Sequence, residues 1–568
     1  MKGYILGISC GYHDSAAALI KNGKVLGACE EERFTGIKHD SSFPINTIKW
    51  LYKEFNIEGE DIQSVAFYDN PKTKLDRIEK SVKNGPITEF FNRKKIINRN
   101  VEKFRRFEFD INKVTNPTTK VYYSDHHLSH AAYSYYTSPF NKAGILTVDG
   151  VGEWETTTLW YGESNKITKL QQINFPHSLG MLYSAFTAFL GFKPNEGEYK
   201  VMGLAPYGDS KKFLNKFRKL YTLKDDGGFE LNMKYFTFDW SDTHMFNEKL
   251  GKLLGIPNRL PEDNLNQPHK DLAATLQHEY EFLFFRLVDR LFTLRSTNNI
   301  CLSGGCAYNG TANGKVLSQS NFKNIWIPPA PSDAGSAIGA ALHVYFEVGG
   351  KIRIRNEQPY LGPHYTNNDV EKELEELKHH IWFEKKNHSE IIPIISKEIT
   401  EGNVVGWFEG RVEFGSRALG NRSILGNPCD PQMKARMNRV IKKREGFRPF
   451  APMVKLEEQS KYFEYTKSVP YMNQVVKVKE EHQKNLPAIT HVDGSARIQS
   501  VTNSQHQRMY KLLTELSKVN QYPIVLNTSF NLKDQTMVLD PKTAIETFLD
   551  CEMDILVIHN YIIKKKIL

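Results

Sequence analysis

The sequence predicts an α/β protein of two domains, the first built on a duplicated core. An apolar strand running into a glycine-bearing acidic turn occurs twice, at YILGISCGYHD and at AGILTVDGVGE, each time followed by another strand; this is the pattern of a repeated α/β unit. Regular patterning breaks between Lys351 and Tyr365, where Pro359 and Pro363 bracket Gly362, separating an expected domain over residues 1–350 from another over 366–568. The composition, 40% hydrophobic and 25% charged over 568 residues, supplies two full cores and excludes disordered, collagenous and coiled-coil chains.

Taken in order, Met1–Asp14 reads as a strand ending in a polar glycine turn, and KVLGACEEERF as a second strand after the Asn22-Gly23 turn signal. Residues 72–113 carry thirteen Lys/Arg against six Asp/Glu; the run reads as a solvated helical insertion, with a substrate-facing patch as the competing reading. A buried strand ends at Val148, a polar loop covers Asp149–Glu155, and an alternating strand follows. A helical stretch near Asp271–Ser296 precedes a strand ending at Leu302, the glycine site SGGCAYN, and an Ala-rich helix opened by Ser-Asp-Ala-Gly. Beyond the junction, DVEKELEEL reads as helix and NVVGWFEG as strand.

Charge and cysteine usage narrow the function. Lys+Arg 75 against Asp+Glu 65 gives a net +10, which suits anionic small molecules without demanding nucleic acid. Six cysteines, none in a CxxC pair, exclude a disulfide scaffold and the usual structural-zinc spacing. Gly7, His13 and Asp14 interrupt any secretory apolar core, and no run nears about 18 apolar residues, so a soluble cytoplasmic protein with no membrane partner is expected. A homodimer is expected only from the general frequency of dimers.

The sharpest chemical signal is DHHLSHAAYSYY. On a helix, His126 and His130 at i,i+4 project from one face and can reach one ion, whereas His127 points elsewhere and reads as structural. Asp149 at a strand end and Asp333 at a helix start can add oxygens. Two imidazoles with two carboxylates suit Fe(II), Mn(II) or Zn(II) better than Mg or Ca. Gly304 and Gly305 let the backbone approach a ligand and form an anion nest, and no GxxxxGK[ST] P-loop is present. GISCGYHDSAA offers a second such turn, with His13 placed to move a proton. In the second half, Arg417, Arg422, Lys442, Arg444, Arg448 and Arg497 fall in turn-rich motifs, where planar guanidinium forks suit phosphate and carboxyl-like oxygens. Some of these cations are expected to pair with Glu409, Glu413, Glu445 and Asp493, the remainder to await a polyanion.

Together GISCGYHDSAA, EEERFTGIKHDSSFP, HHLSHAA, FPHSLGMLYSAFTAFLGFKPNEGEYKVMGLAPYG, SGGCAYN, EFGSRALGNRSILGNP, KKREGFRPFAP, HVDGSARIQ and NTSFN resemble, in order and over nearly the whole chain, the NodU/CmcH family of O-carbamoyltransferases. The resemblance implies an N-terminal duplicated domain of the actin/sugar-kinase/Hsp70 (ASKHA) type and a C-terminal YrdC-like α/β domain. It implies that the second half makes carbamoyl-adenylate from ATP and carbamoyl phosphate, at positions matching Arg417, Lys442, Arg444, Arg448 and Arg497 with Asn527 nearby, Lys442 and Arg444 being catalytic. It places a metal, Fe(II) or another divalent transition ion, on positions matching His126, His130, Asp149 and Asp333, with Mg as an additional candidate ion. His13 matches a histidine that assists transfer to the hydroxyl of a small acceptor. Lys38, Gly150, Gly152, Gly304, Gly305 and Asn309 match nucleotide or carbamoyl-adenylate positions. One departure stands out: Asp534-Gln535-Thr536 follows NTSFN where many members have Gly-Glu-Pro.

Two other classes compete. A tRNA threonylcarbamoyladenosine-type enzyme shares both folds, and the basic insertion could hold RNA, but the FPHSLG and HVDGSARIQ blocks resemble small-molecule enzymes. A non-catalytic nucleotide-binding protein of the ASKHA type would have no use for the second cationic site. The related hydrogenase-maturation carbamoyltransferases carry zinc-finger CxxC motifs that this chain lacks.

Overall fold

β1 (Tyr4–Ser9) is followed by β2 (Ala16–Lys21) and β3 (Lys24–Glu30), an antiparallel hairpin whose turn residues Asn22 and Gly23 take positive φ values of 51° and 77°; such turns match the twist of the flanking strands. The computed structural model describes residues 3–86, 89–355 and 358–566. β4 (Ile62–Phe67) joins parallel to β1, the chain then forms α1 (Pro71–Ser81) and α2 (Phe90–Ile111), and β5 (Lys120–Tyr123) extends the sheet in the order β3-β2-β1-β4-β5. α3 (His126–Thr137) closes this first pass.

The chain then repeats the scheme. β6 (Lys142–Val148), β7 (Glu155–Glu163) and β8 (Lys166–Asn174) form an antiparallel meander. After α4 (Gln267–Leu294), β9 (Asn299–Ser303) pairs parallel with β6, and α5 (Gly310–Gln319) leads to β10 (Asn324–Trp326). The order is β8-β7-β6-β9-β10, and α6 (Asp333–Glu347) closes the second pass. Counting each pass from its own first strand, both sheets run 3-2-1-4-5 with the same parallel and antiparallel pairings. This is the duplicated actin/sugar-kinase/Hsp70-type architecture. The passes differ in two connections: the third strand is joined to the fourth by residues 31–61 in the first pass and by residues 175–298, which include α4, in the second, and α5 links fourth strand to fifth in the second pass where α1 and α2 occupy that place in the first. The solvated reading of the basic run describes α2, where Lys94, Lys95, Arg105 and Arg106 are exposed, and Lys72 and Lys80 of α1, but not Arg77 of α1, which is buried.

The chain divides into two compact units, residues 1–31 with 41–357 and residues 32–40 with 358–568. Glu32–Asp40 lay inside the expected first domain, yet it belongs to the second unit because its partners are there: Phe34 packs on Val412, Ala418, Met537 and Leu539, and Arg33 donates to the Gly415 carbonyl at 2.9 Å.

The second unit is a mixed α/β sheet. Its strands are β11 (Ile381–Lys385), β12 (Val405–Phe408), β13 (Arg422–Gly426), β14 (Ala451–Lys455), β15 (Gln499–Val501), β16 (Ile524–Ser529), β17 (Ile555–Ile558) and β18 (Tyr561–Lys565), in the order β11-β18-β17-β12-β13-β16-β14-β15. Both faces are buried by strand alternation: Trp407, Val525 and Val557 pack under the helices His388–Thr400 and Gln507–Val519, while Phe408, Ile424 and Leu526 join the opposite core with Phe548. Among the described residues no helix is long and apolar enough to cross a membrane.

Candidate metal centre and cationic pocket

The duplication explains how four distant residues meet. α3 and α6 end the two passes and pack against each other; His126 is the first residue of α3, and Asp333 the first of α6. One turn along α3, His130 faces the same point, and Asp149 follows the last residue of β6. His126 Nε2 lies 2.8 Å and His130 Nε2 3.2 Å from Asp149 Oδ2; the same two nitrogens lie 3.6 and 3.5 Å from Asp333 Oδ1. The Nε2 atoms are 3.1 Å apart, and the ligand atoms of all four residues fall within 4.8 Å of one another. Metal–nitrogen bonds of about 2.1 Å would bring two imidazoles on one ion to about this spacing. The donor set, two imidazoles and two carboxylates in a buried pocket, fits a divalent transition metal.

Outer contacts hold the ligands in place. Ser336 Oγ is 2.9 Å from His130 Nδ1, which directs Nε2 to the cluster. The Gly305 N–H donates to Asp149 Oδ1 at 3.0 Å. The His126 backbone N–H donates to both oxygens of Glu153 at 3.1 Å each, anchoring the start of α3. Ser336 and Glu153 escaped the sequence reading because neither lies in a ligand-like spacing; the available signals were the GEW turn after Asp149 for Glu153 and a position one helical turn beyond Asp333 for Ser336. His127 is structural: its Nδ1 meets Thr147 Oγ1 at 2.8 Å and Thr158 Oγ1 at 3.1 Å.

Electrostatics at the cluster follow from this packing. Burial alone raises a carboxylate pKa, but hydrogen bonds to His126 and His130 outweigh it and hold Asp149 well below the ordinary range. Burial disfavours His130 imidazolium, yet Asp149 and Asp333 raise its pKa to about 9. His13, whose Nδ1 is 3.0 Å from Asp14 Oδ2, is likewise opposed by burial but held well above the usual histidine range by Asp333 and Asp14.

The close approach of α3 and α6 depends on glycine. A Cβ at Gly339 would stand 1.9 Å from the Ser129 carbonyl oxygen. Gly339→Ala is therefore expected to force the two helices apart, destabilising the protein by about 1–3 kcal/mol and weakening divalent-ion binding; thermal unfolding and metal titration of the variant check both effects.

Of the nucleotide candidates, Gly304 has φ 90° and a Cβ there would lie 2.2 Å from the Val148 carbonyl oxygen, so the turn exists only with glycine. Gly150, Gly152 and Gly305 line the same β6–β9 edge, Gly152 lying against His126. Asn309 caps α5 through Ala312 N–H and exchanges two hydrogen bonds with Gln277, so its amide is committed to shaping the turn. Lys38 belongs to the second unit, among the charges that act on Lys442.

In the second unit Lys442 is buried and follows a widened π-type turn, Met437–Ile441. Its Nζ donates to the Asn531 carbonyl at 2.8 Å, to Asn531 Oδ1 at 2.7 Å, and to the Ser529 carbonyl. Burial, with Arg444, Arg448 and Lys38 nearby, pushes its pKa well below the usual lysine range. Burial and the cations Arg417, Arg444 and Arg448 do the same to Arg497, whose Nε has no hydrogen-bond partner. Asn527 donates to Gln499 Oε1 at 2.8 Å and the Ala418 carbonyl at 3.1 Å, leaving its own Oδ1 buried and unpaired.

The expected carboxylate partners are mostly engaged elsewhere. Glu409 pairs with Arg508, Glu413 accepts the N–H groups of Leu419, Asn421 and Arg422, and Asp493 accepts from Ser495; Glu445 lies 3.7 Å from Arg448. Arg422 leaves the ligand-binding group. It stacks on Phe408 at 3.5 Å and donates to the carbonyls of Glu409, Asn421, Gly410 and Leu539, a structural cage that its sequence motif did not reveal. At the divergent Asp534-Gln535-Thr536 segment, Asn531 donates to the Gln535 carbonyl, so this turn steadies the partner of Lys442.

Comparison with known proteins agrees with both halves. Residues 4–342 match the carbamoyltransferase N-terminus family and residues 396–565 the carbamoyltransferase C-terminus family. An uncharacterized protein of Synechocystis sp. is 41% identical over 99% of this chain and 97% of its own. Nodulation protein NolNO of Sinorhizobium fredii is 35% identical over 98% of this chain and 79% of its own, and nodulation protein NolO of Bradyrhizobium diazoefficiens 36% identical over 78% and 79%.

Proposed function

The chain belongs to the carbamoyltransferase family, and from that premise we propose that it is an ATP-dependent O-carbamoyltransferase acting on a hydroxyl of a small molecule. The second unit converts ATP and carbamoyl phosphate to carbamoyl-adenylate, releasing pyrophosphate and phosphate; the first passes the carbamoyl group to the acceptor, releasing AMP. The observation that carries the reading is the convergence of His126, His130, Asp149 and Asp333 on one point.

Lys442, Arg444, Arg448, Arg497 and Arg417 bind and align the phosphate-bearing substrates, their mutual repulsion relieved by the polyanion they take up. The turn of Gly304 and Gly305 receives the adenylate with backbone N–H groups. Asp14, bonded to His13 Nδ1, fixes the imidazole so that Nε2 takes the proton of the acceptor hydroxyl as its oxygen attacks the carbamoyl carbon and the bond to AMP breaks. A divalent transition metal, Fe(II) first among the candidates, would be held by the four clustered residues, supply Lewis acidity toward developing oxyanions, and offset the charge of Asp333 that keeps His13 protonated. Burial of the ligands keeps water from the reactive anhydride.

Incubation of the full chain with ATP, carbamoyl phosphate, Fe(II) and a panel of hydroxylated metabolites tests the reading. Pyrophosphate release and an acceptor mass increased by one carbamoyl group are expected; no pyrophosphate release would overturn it.

A further inference from the structure

Among the described residues, six arginines have a buried Nε without a hydrogen-bond partner: Arg33, Arg77, Arg286, Arg422, Arg497 and Arg508. Four of them are satisfied through their other nitrogens: Arg33 by the Gly415 carbonyl, Arg286 by that of Lys224, Arg422 by four backbone carbonyls, and Arg508 by Glu409. Arg497 and Arg77 are not. In both, the Nε is buried without an acceptor, an unfavourable state that a ligand oxygen would relieve. Arg497 has such a ligand in prospect within the cationic pocket of the second unit. Arg77 lies in the first unit, only 9% exposed, its guanidinium 5.0 Å from the Phe175 ring and with no hydrogen bond or ion pair to any described residue.

Its position ties it to the transfer site. Arg77 is carried by α1, one of two helices that link the fourth and fifth strands of the first pass, where the second pass has α5. The Asn70 N–H, at the start of α1, donates to Glu153 Oε1 at 2.6 Å, and the same carboxyl group anchors His126. The titratable groups facing Arg77 are Asp69, Lys74, Glu153 and the phenol of Tyr12, and the Tyr12 ring lies 4.6 Å from that of His13. Asp69 is already paired with Lys74, and Glu153 accepts the N–H groups of Asn70 and His126, so both carboxylates are engaged elsewhere. No described residue therefore supplies an acceptor bonded to the Arg77 guanidinium. The nucleotide turn of Gly304 and Gly305 stands in the second pass, whereas Arg77 stands in the first, next to Tyr12, whose ring packs on that of His13.

We propose that Arg77 is the acceptor-recognition residue of the transfer site, and that the acceptor is a hydroxylated small molecule bearing an oxyanion, a carboxylate or a phosphate, bound by its guanidinium fork. This deepens the carbamoyltransferase reading and rests on it.

Matched sets of acceptors test the assignment: glucose, glucuronate and glucose 6-phosphate, and glycerol, glycerate and glycerol 3-phosphate. The full chain, supplied with ATP, carbamoyl phosphate and Fe(II), should carbamoylate an anionic member at least about tenfold more efficiently than its neutral counterpart; whether carboxylate or phosphate is favoured identifies the group. Arg77→Gln should abolish that preference mainly through KM, Arg77→Lys should restore part of it, and acceptor-free pyrophosphate release and metal content should not change. Equal use of neutral and anionic acceptors by the wild type, or equal losses on both in Arg77→Gln, overturns the proposal. Absence of pyrophosphate release in the wild type would instead overturn the functional reading. The role of Arg77 is then read by thermal unfolding, where anionic members must stabilise the wild type and not Arg77→Gln, and a shift in neither overturns the assignment.

Discussion

Lys442→Met is expected to reduce pyrophosphate release by about a hundred- to a thousandfold, the usual consequence of deleting one preorganised charge from a reacting site, while transfer from supplied carbamoyl-adenylate persists. The expectation rests on how the lysine is held. Its Nζ meets only neutral oxygens, from Ser529 and Asn531, and the cations Arg444, Arg448 and Lys38 press on it. With its folded pKa far below the unfolded value of about 10.4, the unfolded chain binds the additional proton between those two values. Stability therefore rises with pH across that window and is lowest below it. Carbamoyl phosphate or ATP supplies the missing anion, so ligand binding should take up a proton and raise the unfolding temperature most at the low-pH end of the window. Lys442→Met should flatten the pH dependence and forfeit most of the ligand-induced stabilisation. Thermal unfolding between about pH 7 and about pH 10, with and without carbamoyl phosphate, reads both. A variant that retains the slope would show that the titrating cation is another group, with Arg497 the first alternative.

Much of this was legible in the sequence because the relevant signals are local. His126 and His130 are one helical turn apart, Asp149 directly follows an apolar run, and Asp333 opens an Ala-rich helix; each of these placements depends on a few neighbouring residues. What joins them is the duplication, visible as two similar strand–turn–strand passages. The illegible parts depend on contacts between distant segments. Arg422 and Arg417 look alike in the motif GSRALGNRS, yet Arg422 is caged by carbonyls contributed partly by Leu539, over a hundred positions away. Glu32–Asp40 joins the second unit through Phe34, whose apolar partners come from two separated segments, 412–418 and 537–539. Arg77 sits in a basic run that composition reads as solvated. Only the fold separates α1, with a buried guanidinium, from α2, with its exposed charges.

His130→Ala is expected to separate the two half-reactions in the opposite sense from Lys442→Met. The substitution removes one of two nitrogens from the four-residue cluster and strands Ser336 without its imidazole partner. Loss of an outer-sphere partner alone typically weakens metal binding by about 10–100-fold, so loss of a ligand should exceed that and leave the purified chain with little bound ion and no measurable transfer. It also takes a cationic partner from the half-buried Asp149 and the buried Asp333, which makes the ion-free variant less stable than the ion-free wild type. Pyrophosphate release should survive, because the residues assigned to that step, Lys442, Arg444, Arg448 and Arg497, all lie in the other unit. Ser336→Ala serves as the milder companion: it keeps all four ligands and loses only the contact that aims His130, so metal affinity should fall within the outer-sphere range while pyrophosphate release is unchanged. Metal analysis of the purified variants, with pyrophosphate and carbamoyl transfer assayed separately, decides the matter. If His130→Ala loses pyrophosphate release together with transfer, while Ser336→Ala loses neither, the assignment of the two half-reactions to separate units is wrong, since a lesion confined to the metal centre would then have stopped chemistry that does not use it.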